Sequence, residues 1–122
     1  MTKKIYLIED NEKNLKLFNA ILNSMKQIEV ISEIEGDKGL EIIKSGDPDL
    51  IILDIQLPKM SGIEICKELR KIEKFKNVKI IAVTAFAMKG DEERILEAGF
   101  NEYISKPIKV SEFRETISRL LN

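Results

Sequence analysis

The chain is predicted to be an α/β protein, a doubly wound parallel sheet of five strands with five helices on its two faces. Three observations predict it. Five short β-rich runs alternate with five helical patterns along the 122 residues, the order that produces a parallel sheet covered by helices. The run Leu50-Ile51-Ile52-Leu53 is apolar at every position, as expected of a strand buried on both faces. Polar residues stand at or just beyond the ends of four runs, namely Glu9-Asp10, Asp54, Thr84 and Lys106. In a parallel sheet those ends share one edge, where open α/β sheets bind ligands.

The elements follow in order. Lys4-Ile5-Tyr6-Leu7-Ile8 is a β-rich run ending in Glu9-Asp10-Asn11. Leu15, Phe18, Leu22 and Met25 recur three and four apart, one apolar helical face. Ile28 to Ile34 alternates imperfectly, with Ser32 interrupting and Glu29 and Glu33 adding charge, which predicts a strand at a sheet edge. Gly36-Asp37-Lys38-Gly39 reads as a turn, followed by a short helix with Leu40, Ile42 and Ile43 that Gly46 stops. Asp47-Pro48-Asp49 is the loop before the run that ends in Asp54, since a residue preceding proline is pushed out of helical geometry. Ser61-Gly62-Ile63-Glu64 is a capping box, opening a helix with Ile65, Leu69 and Ile72 on its apolar side. Val78 to Val83 is the fourth strand and ends in Thr84-Ala85. A charged helix from about Lys89 to Ala98 is closed by Gly99, the residue a helix C-terminus favours. Glu102 to Ser105 is the last strand, and Val110, Phe113, Ile117 and Leu120 mark the closing helix.

Composition narrows the function. The 20 basic and 21 acidic side chains nearly cancel, so there is no basic footprint for nucleic acid. No apolar run approaches the ~18 residues that span a bilayer, and no signal sequence opens the chain; a cytoplasmic protein without membrane contact is expected. Cys66 is the single cysteine, which excludes an internal disulfide, and its helical setting predicts a small buried hydrophobe. Histidine is absent. His-based triads and the usual zinc sites are therefore excluded, and carboxylates, hydroxyls and lysine must carry any chemistry.

If the first and third strands are neighbours, Asp10 and Asp54 converge and Glu9 adds a third carboxylate. At an effective dielectric near 20, two carboxylates about 5 Å apart repel by roughly 3 kcal/mol. Such a cluster is stable only if some members stay protonated or a cation joins them. Oxygen ligands without His or Cys suit Mg²⁺, which pairs with phosphate. Lys106 offers an ammonium for the same phosphate, Thr84 a hydroxyl, and Ala85 a backbone N–H beside a small side chain. The set looks built for a phosphoryl group on a carboxylate. Each residue alone has a plainer reading: Glu9 and Asp10 as acids at a helix N-terminus, Asn11 as that helix's cap, Thr84 as a strand-end hydroxyl, Lys106 as a solvated charge. Their joint placement carries the inference.

The pattern Glu9-Asp10-Asn11, Asp54 with Pro58 and Gly62, Thr84-Ala85 and Lys106-Pro107 resembles the receiver domain of two-component response regulators. The resemblance covers essentially the whole chain. Val83 to Asp91 and Tyr103 to Pro107 look most like DivK-type single-domain regulators and the receivers of hybrid kinases. It implies a flavodoxin-like fold with strand order 2-1-3-4-5 and one receiver domain over residues 1–122 with no output domain.

It further implies Asp54 as phosphoacceptor, with Mg²⁺ held by Asp10, Asp54 and the Gln56 backbone carbonyl, and Glu9 acting through a water. Thr84, Ala85 and Lys106 would bind the phosphoryl group, and Lys106-Pro107 would be a cis peptide. Thr84 and Tyr103 would form the switch pair, although a half-buried edge-strand tyrosine explains Tyr103 about as well. Gln56 and Phe86 match positions that tune hydrolysis in the family. Glu9 stands where many relatives have aspartate, leaving metal affinity open.

The function implied is a signalling module rather than an enzyme. It would take phosphate from a partner's phosphohistidine, on a histidine kinase or a histidine phosphotransferase. A downstream protein would meet the face of the fourth helix, fifth strand and fifth helix, the region of Ile95, Tyr103 and Phe113, or the phosphate would be handed on in a phosphorelay. Leu17 and Ile21 lie beside the first helix's apolar face, where they border the core or form part of a kinase-docking patch. One alternative is a receiver fragment of a hybrid kinase. Another is an aspartate-nucleophile phosphatase, but its D-x-D-x-T pattern is not what Glu9-Asp10-Asn11-Glu12-Lys13 offers. A third is a flavodoxin-like cofactor carrier, whose phosphate an acidic first loop would repel; no Walker or dinucleotide glycine motif is present either.

Overall fold

Because successive strand residues point to opposite faces, an all-apolar strand must be covered on both sides, and that is how the chain folds. The structure is a computed structural model and describes residues 2–85 and 90–121. Its elements are β1 (Lys3–Ile8), α1 (Glu12–Asn23), β2 (Ile28–Glu33), α2 (Gly36–Ser45), β3 (Leu50–Asp54), α3 (Gly62–Arg70), β4 (Lys79–Thr84), α4 (Asp91–Glu97), β5 (Glu102–Ser105) and α5 (Val110–Leu121), with a 3₁₀ turn at Glu73–Phe75. The strands form one sheet in the order β2-β1-β3-β4-β5, and every pairing is parallel.

β3 lies at the centre, and all five of its residues are buried. Leu50 and Ile52 face one layer with Ile5, Leu7, Ile81 and Val83, against Phe18, Ile21 and Leu22 of α1 and Phe113 and Ile117 of α5. There the Phe18 and Phe113 rings meet at 5.1 Å between centroids. Ile51 and Leu53 face the other layer, against Leu40 and Ile43 of α2, Ile65, Cys66 and Leu69 of α3, and Ile95 of α4. Each such side chain contributes about 1.5–3 kcal/mol through its burial. The predicted edge strand β2 is at the edge, and Cys66 is buried as expected.

Several expectations change. Gly36-Asp37-Lys38-Gly39 is the first turn of α2 and not a free-standing turn. Its glycines serve close packing: a β-carbon at Gly39 would come within 2.6 Å of Ile8 Cδ1, and one at Gly36 would overlap the Met60 carbonyl oxygen. Ile21 belongs to the core at 4 % exposure, because α1 buries a wider stripe than the four residues marked. Val110, expected on the apolar face of α5, is 42 % exposed at the helix start, while Thr116 is buried and donates its hydroxyl to the Glu112 carbonyl at 3.0 Å. The Ser61 cap accepts the Glu64 N–H at 3.2 Å, but Glu64 Oε1 meets the Ser61 hydroxyl at 3.3 Å and not the backbone of the cap.

Gly99 closes α4 with φ 109°. Its N–H reaches the Leu96 carbonyl and that of Phe100 the Ile95 carbonyl, the paired bonds of a Schellman ending. Phe86 and Lys89, read above as a tuning position and a helix start, lie outside the described residues.

Candidate phosphoacceptor site

The parallel register brings the polar strand ends to one edge. Ile8 of β1 is level with Leu53 of β3 and Asp54 with Val83 of β4, so Glu9 follows level with Asp54 and Thr84 comes one residue beyond. Thr84 is opposite Ser105 of β5, which puts Lys106 one residue beyond the same line. The Lys106 N–H donates to the Thr84 carbonyl at 2.8 Å, and the Lys106-Pro107 bond is cis.

Asp54 is 3 % exposed. Its Oδ1 accepts the Gln56 N–H at 2.9 Å and its Oδ2 the Lys106 ammonium at 2.9 Å. Glu9 is fully buried, held by its own N–H on the Glu33 carbonyl at 3.1 Å. Its Oε2 accepts the Asn11 N–H at 3.1 Å and lies 3.4 Å from the Lys106 ammonium. Its Oε1 is 3.1 Å from that ammonium but makes no hydrogen bond among the described residues. Asn11 caps α1 by accepting the Asn14 N–H at 3.1 Å, so the first acidic pair leads directly into a helix.

Ligand oxygens of Glu9, Asp10 and Asp54 all lie within 4.8 Å of one another, with Asp10 exposed and the other two buried. Burial pushes the Glu9 carboxyl up to about 7, and the neighbouring Asp54 carboxylate adds to this, against the Asn11 N–H and Lys106. Burial works against the Lys106 ammonium, but the hydrogen bonds and charges of Asp54 and then Glu9 outweigh it and raise its pKa. One half-buried cation is thus paired with two carboxyl groups, Glu9 and Asp54, with Asp10 clustered beside them and one Glu9 oxygen lacking a hydrogen bond among the described residues. Such a set, all oxygen and in excess negative charge, fits a hard divalent cation such as Mg²⁺.

The structure brings Glu9, Asp10, Asp54 and Lys106 together and places Thr84 beside them, 2 % exposed. Gln56 is exposed and Ala85 is exposed at the end of β4. A cavity of about 300 Å³ opens next to Gln56 and Thr84, with Ile55, Ile63, Ile95 and the Asp91–Arg94 ion pair in its lining. Arg94 was not singled out from the sequence, where an arginine in a charged helix reads as a solvated face. Tyr103 sits on β5 level with Ala82, half-buried in a groove with Leu96, Glu92 and Glu102.

Known proteins agree with this geometry. Residues 5–118 match the response regulator receiver domain. The chain belongs to the response regulator receiver family. It is 48 % identical over 121 residues to the polar-differentiation response regulator DivK of Brucella ovis, covering 99 % of this chain and 98 % of that one. It is 46 % identical over the same length to the DivK of Brucella anthropi. Among solved structures, it is similar to the receiver domain of a Pseudomonas aeruginosa sensor histidine kinase with a magnesium ion coordinated in its active-site cleft. That pair has 33 % identity and a TM-score of 0.90, with coverage of 99 % and 98 %. Vibrio cholerae CheY4, 21 % identical with a TM-score of 0.92 over 99 % of this chain and all of that one, shares the fold. The receiver is thus a two-component signalling domain with an acidic pocket fit for magnesium. No helix among its described residues is long and apolar enough to cross a membrane.

Proposed function

We propose that the chain is a DivK-like phosphorylation switch in which Asp54 accepts a phosphoryl group from a partner's phosphohistidine. The observation that carries this is the position of Asp54, a buried carboxylate at the end of the central strand with Lys106 on one oxygen and the Gln56 N–H on the other. An Asp54 oxygen attacks phosphorus, the P–N bond breaks, and its electron pair leaves with the partner's imidazole. The product is an acyl phosphate on Asp54. Lys106 pairs with the phosphoryl oxygens as charge spreads over them, and the Thr84 hydroxyl and Ala85 N–H donate to the same group.

Asp10, Asp54 and the Gln56 carbonyl would hold Mg²⁺, with Glu9 acting through a water. The ion neutralises negative charge on the transferring group. Without a cation the clustered carboxylates would repel an incoming phosphate, which is why acceptance should depend on Mg²⁺.

The phosphate switches protein contacts or is relayed to a further protein, and is not a step in metabolism. Thr84 and Tyr103 form the switch, and the readout face is that of α4, β5 and α5. Ile95 and Phe113 are core residues of this region; Leu96, 48 % exposed, Val110 and the half-buried Tyr103 are among the side chains it presents. The donor is a histidine kinase or phosphotransferase, docked over the site beside α1. There Leu17, 36 % exposed, is available to it and the buried Ile21 is not. A soluble cytoplasmic setting without nucleic acid or membrane contact is part of this reading. The similarity to DivK along nearly its whole length favours a regulator of that kind over a receiver from a hybrid kinase.

The test is mass spectrometry after incubation with Mg²⁺ and acetyl phosphate. A single phosphoryl group is expected on the wild type, none on Asp54→Asn, and none when the metal is chelated. Modification that persists in Asp54→Asn refutes the assignment.

A further inference from the structure

The orientation of Asp54 depends on the loop that follows it, because its Oδ1 accepts the Gln56 N–H. That loop runs from Ile55 to Ser61 and is pinned at both ends. The Ile55 N–H donates to the Val83 carbonyl at 3.0 Å, and the Gly62 N–H returns to the Ile55 carbonyl at 3.0 Å. A β-carbon at Gly62 would overlap the Asp54 carbonyl oxygen, so α3 starts flush against the acceptor strand.

The middle of the loop has one bond of its own, from the Met60 N–H to the Pro58 carbonyl at 2.8 Å. Lys59 has φ 69°, a left-handed conformation that an L side chain keeps only where its surroundings over-determine it. Beyond that bond, those surroundings are the start of α2. Glu35 Oε2 lies 3.2 Å from the Lys59 ammonium. The Met60 main chain rests on Gly36, where a β-carbon would overlap its carbonyl oxygen and lie 3.1 Å from its carbonyl carbon. Exposed ion pairs contribute little, so the backbone contact is the stronger constraint.

We propose that Gly36 is a positioning residue for the acceptor site. Lacking a β-carbon, it lets α2 seat the Met60 main chain and so fixes the loop that orients Asp54 and Gln56. The inference rests on the phosphoacceptor reading above and assigns a role to a residue outside the strand-end cluster. The loop is held at Gly62 on one side and at Ile55 on the other. A displacement forced at Met60 therefore has little slack to absorb it before it reaches Gln56.

The experiment titrates Mg²⁺ into the unphosphorylated protein by calorimetry and follows the Gln56 amide by NMR, alongside the melting temperature. Gly36→Ala is compared with Gly46→Ala at the other end of α2, where a β-carbon would overlap the Tyr6 hydroxyl. Since a misplacement of about 1 Å can cost on the order of a hundredfold in a positioned site, Gly36→Ala is expected to raise the Mg²⁺ Kd roughly fivefold. It should also shift the Gln56 amide. Gly46→Ala should lower the melting temperature and leave both at wild-type values.

A wild-type Kd and an unmoved Gln56 amide in Gly36→Ala overturn the proposal, as does an equal rise in Gly46→Ala. If Gly36→Ala does not fold, Met60→Gly decides: it loosens the same contact from the loop side, a rise of about twofold is expected, and no rise overturns the proposal. A wild type that binds Mg²⁺ but takes no phosphoryl group would refute the phosphoacceptor function while leaving the positioning claim tested by Kd and amide shift.

Discussion

The two edges of the sheet handle buried charge in opposite ways. At the edge carrying Asp54, three carboxyl groups cluster, two of them paired with the Lys106 ammonium, and Glu9 Oε1 is left without a hydrogen bond among the described residues. At the opposite edge a single cation, Arg70 at the end of α3, has no carboxylate partner among the described residues and faces acceptors only. Its guanidinium donates to the carbonyls of Gly99 at 2.9 Å, Phe75 at 2.7 Å and Val78 at 2.7 Å, and to Asn101 Oδ1 at 2.9 Å. Asn101 Oδ1 also accepts the Ile80 N–H at 2.8 Å. One edge is satisfied by its own chain; the other is incomplete without a cation or a proton. Buried polar groups stabilise when fully paired and cost when they are not, so stability should reside at the Arg70 edge and chemistry at the Asp54 edge.

The largest expected effect breaks that division from the stable side. Arg70→Ala orphans carbonyls from α4's end, the 3₁₀ turn and the start of β4. Hydrogen bonds to a charged group contribute about 1.5–3 kcal/mol each, and the losses overlap, so a destabilisation of roughly 3 kcal/mol is expected. Urea unfolding measures it. The Mg²⁺ affinity of the folded variant should stay within about twofold of wild type, because the wild-type site geometry is set at the other end of the strands. Loss of stability and of metal affinity in equal measure would show that the two edges are one unit.

The second effect comes from the reactive side and has the opposite sign. Glu9 titrates at about 7 in the fold against an ordinary 4.5. Between those values the folded chain keeps a proton that the unfolded chain has released. The stability that Glu9 contributes in metal-free buffer is therefore fullest below 4.5 and falls as pH rises toward about 7. Glu9→Gln removes this dependence. At pH 8 without metal it should be more stable than wild type by roughly 2 kcal/mol, and near pH 4 the two should converge. Adding Mg²⁺ should stabilise the wild type more than the variant. Thermal melts over pH 4–8 check all of this, and a variant less stable than wild type at pH 8 would contradict it.

This contrast also explains what could be read from the sequence. The acceptor edge was legible because each of its residues ends an apolar strand: Asp54 after Leu50–Leu53, Thr84 after Ile80–Val83, Lys106 after the short β5. A charge at such a boundary stands out, and a parallel register brings the boundaries together. Arg70 gave no such signal, since an arginine in the last turn of an amphipathic helix has the pattern of a solvated charge. Its partners are carbonyls contributed by three other segments, which no periodicity records. Gly36 and Gly39 misled for a related reason. Local preference assigns paired glycines to a turn, whereas here the need is tertiary, with Met60 and Ile8 packed where β-carbons would be.

The smallest effect asks whether the reactive edge contributes any stability of its own. Asn11 follows the acidic pair and does two things there: its N–H donates to Glu9 Oε2, and its side chain caps α1 on the Asn14 N–H. Asn11→Ala keeps the first and removes the second. Losing an N-cap side chain costs about 1 kcal/mol, so a modest fall in urea midpoint is expected with Mg²⁺ affinity unchanged. The main-chain bond that holds Glu9 survives the substitution, and the metal-facing oxygens have no reason to move. A drop in metal affinity alongside the loss of stability would mean that the cap itself aims Glu9 and Asp10. Stability and reactivity would then share a residue at this edge, and the separation drawn between the two ends of the strands would hold only for the Arg70 side.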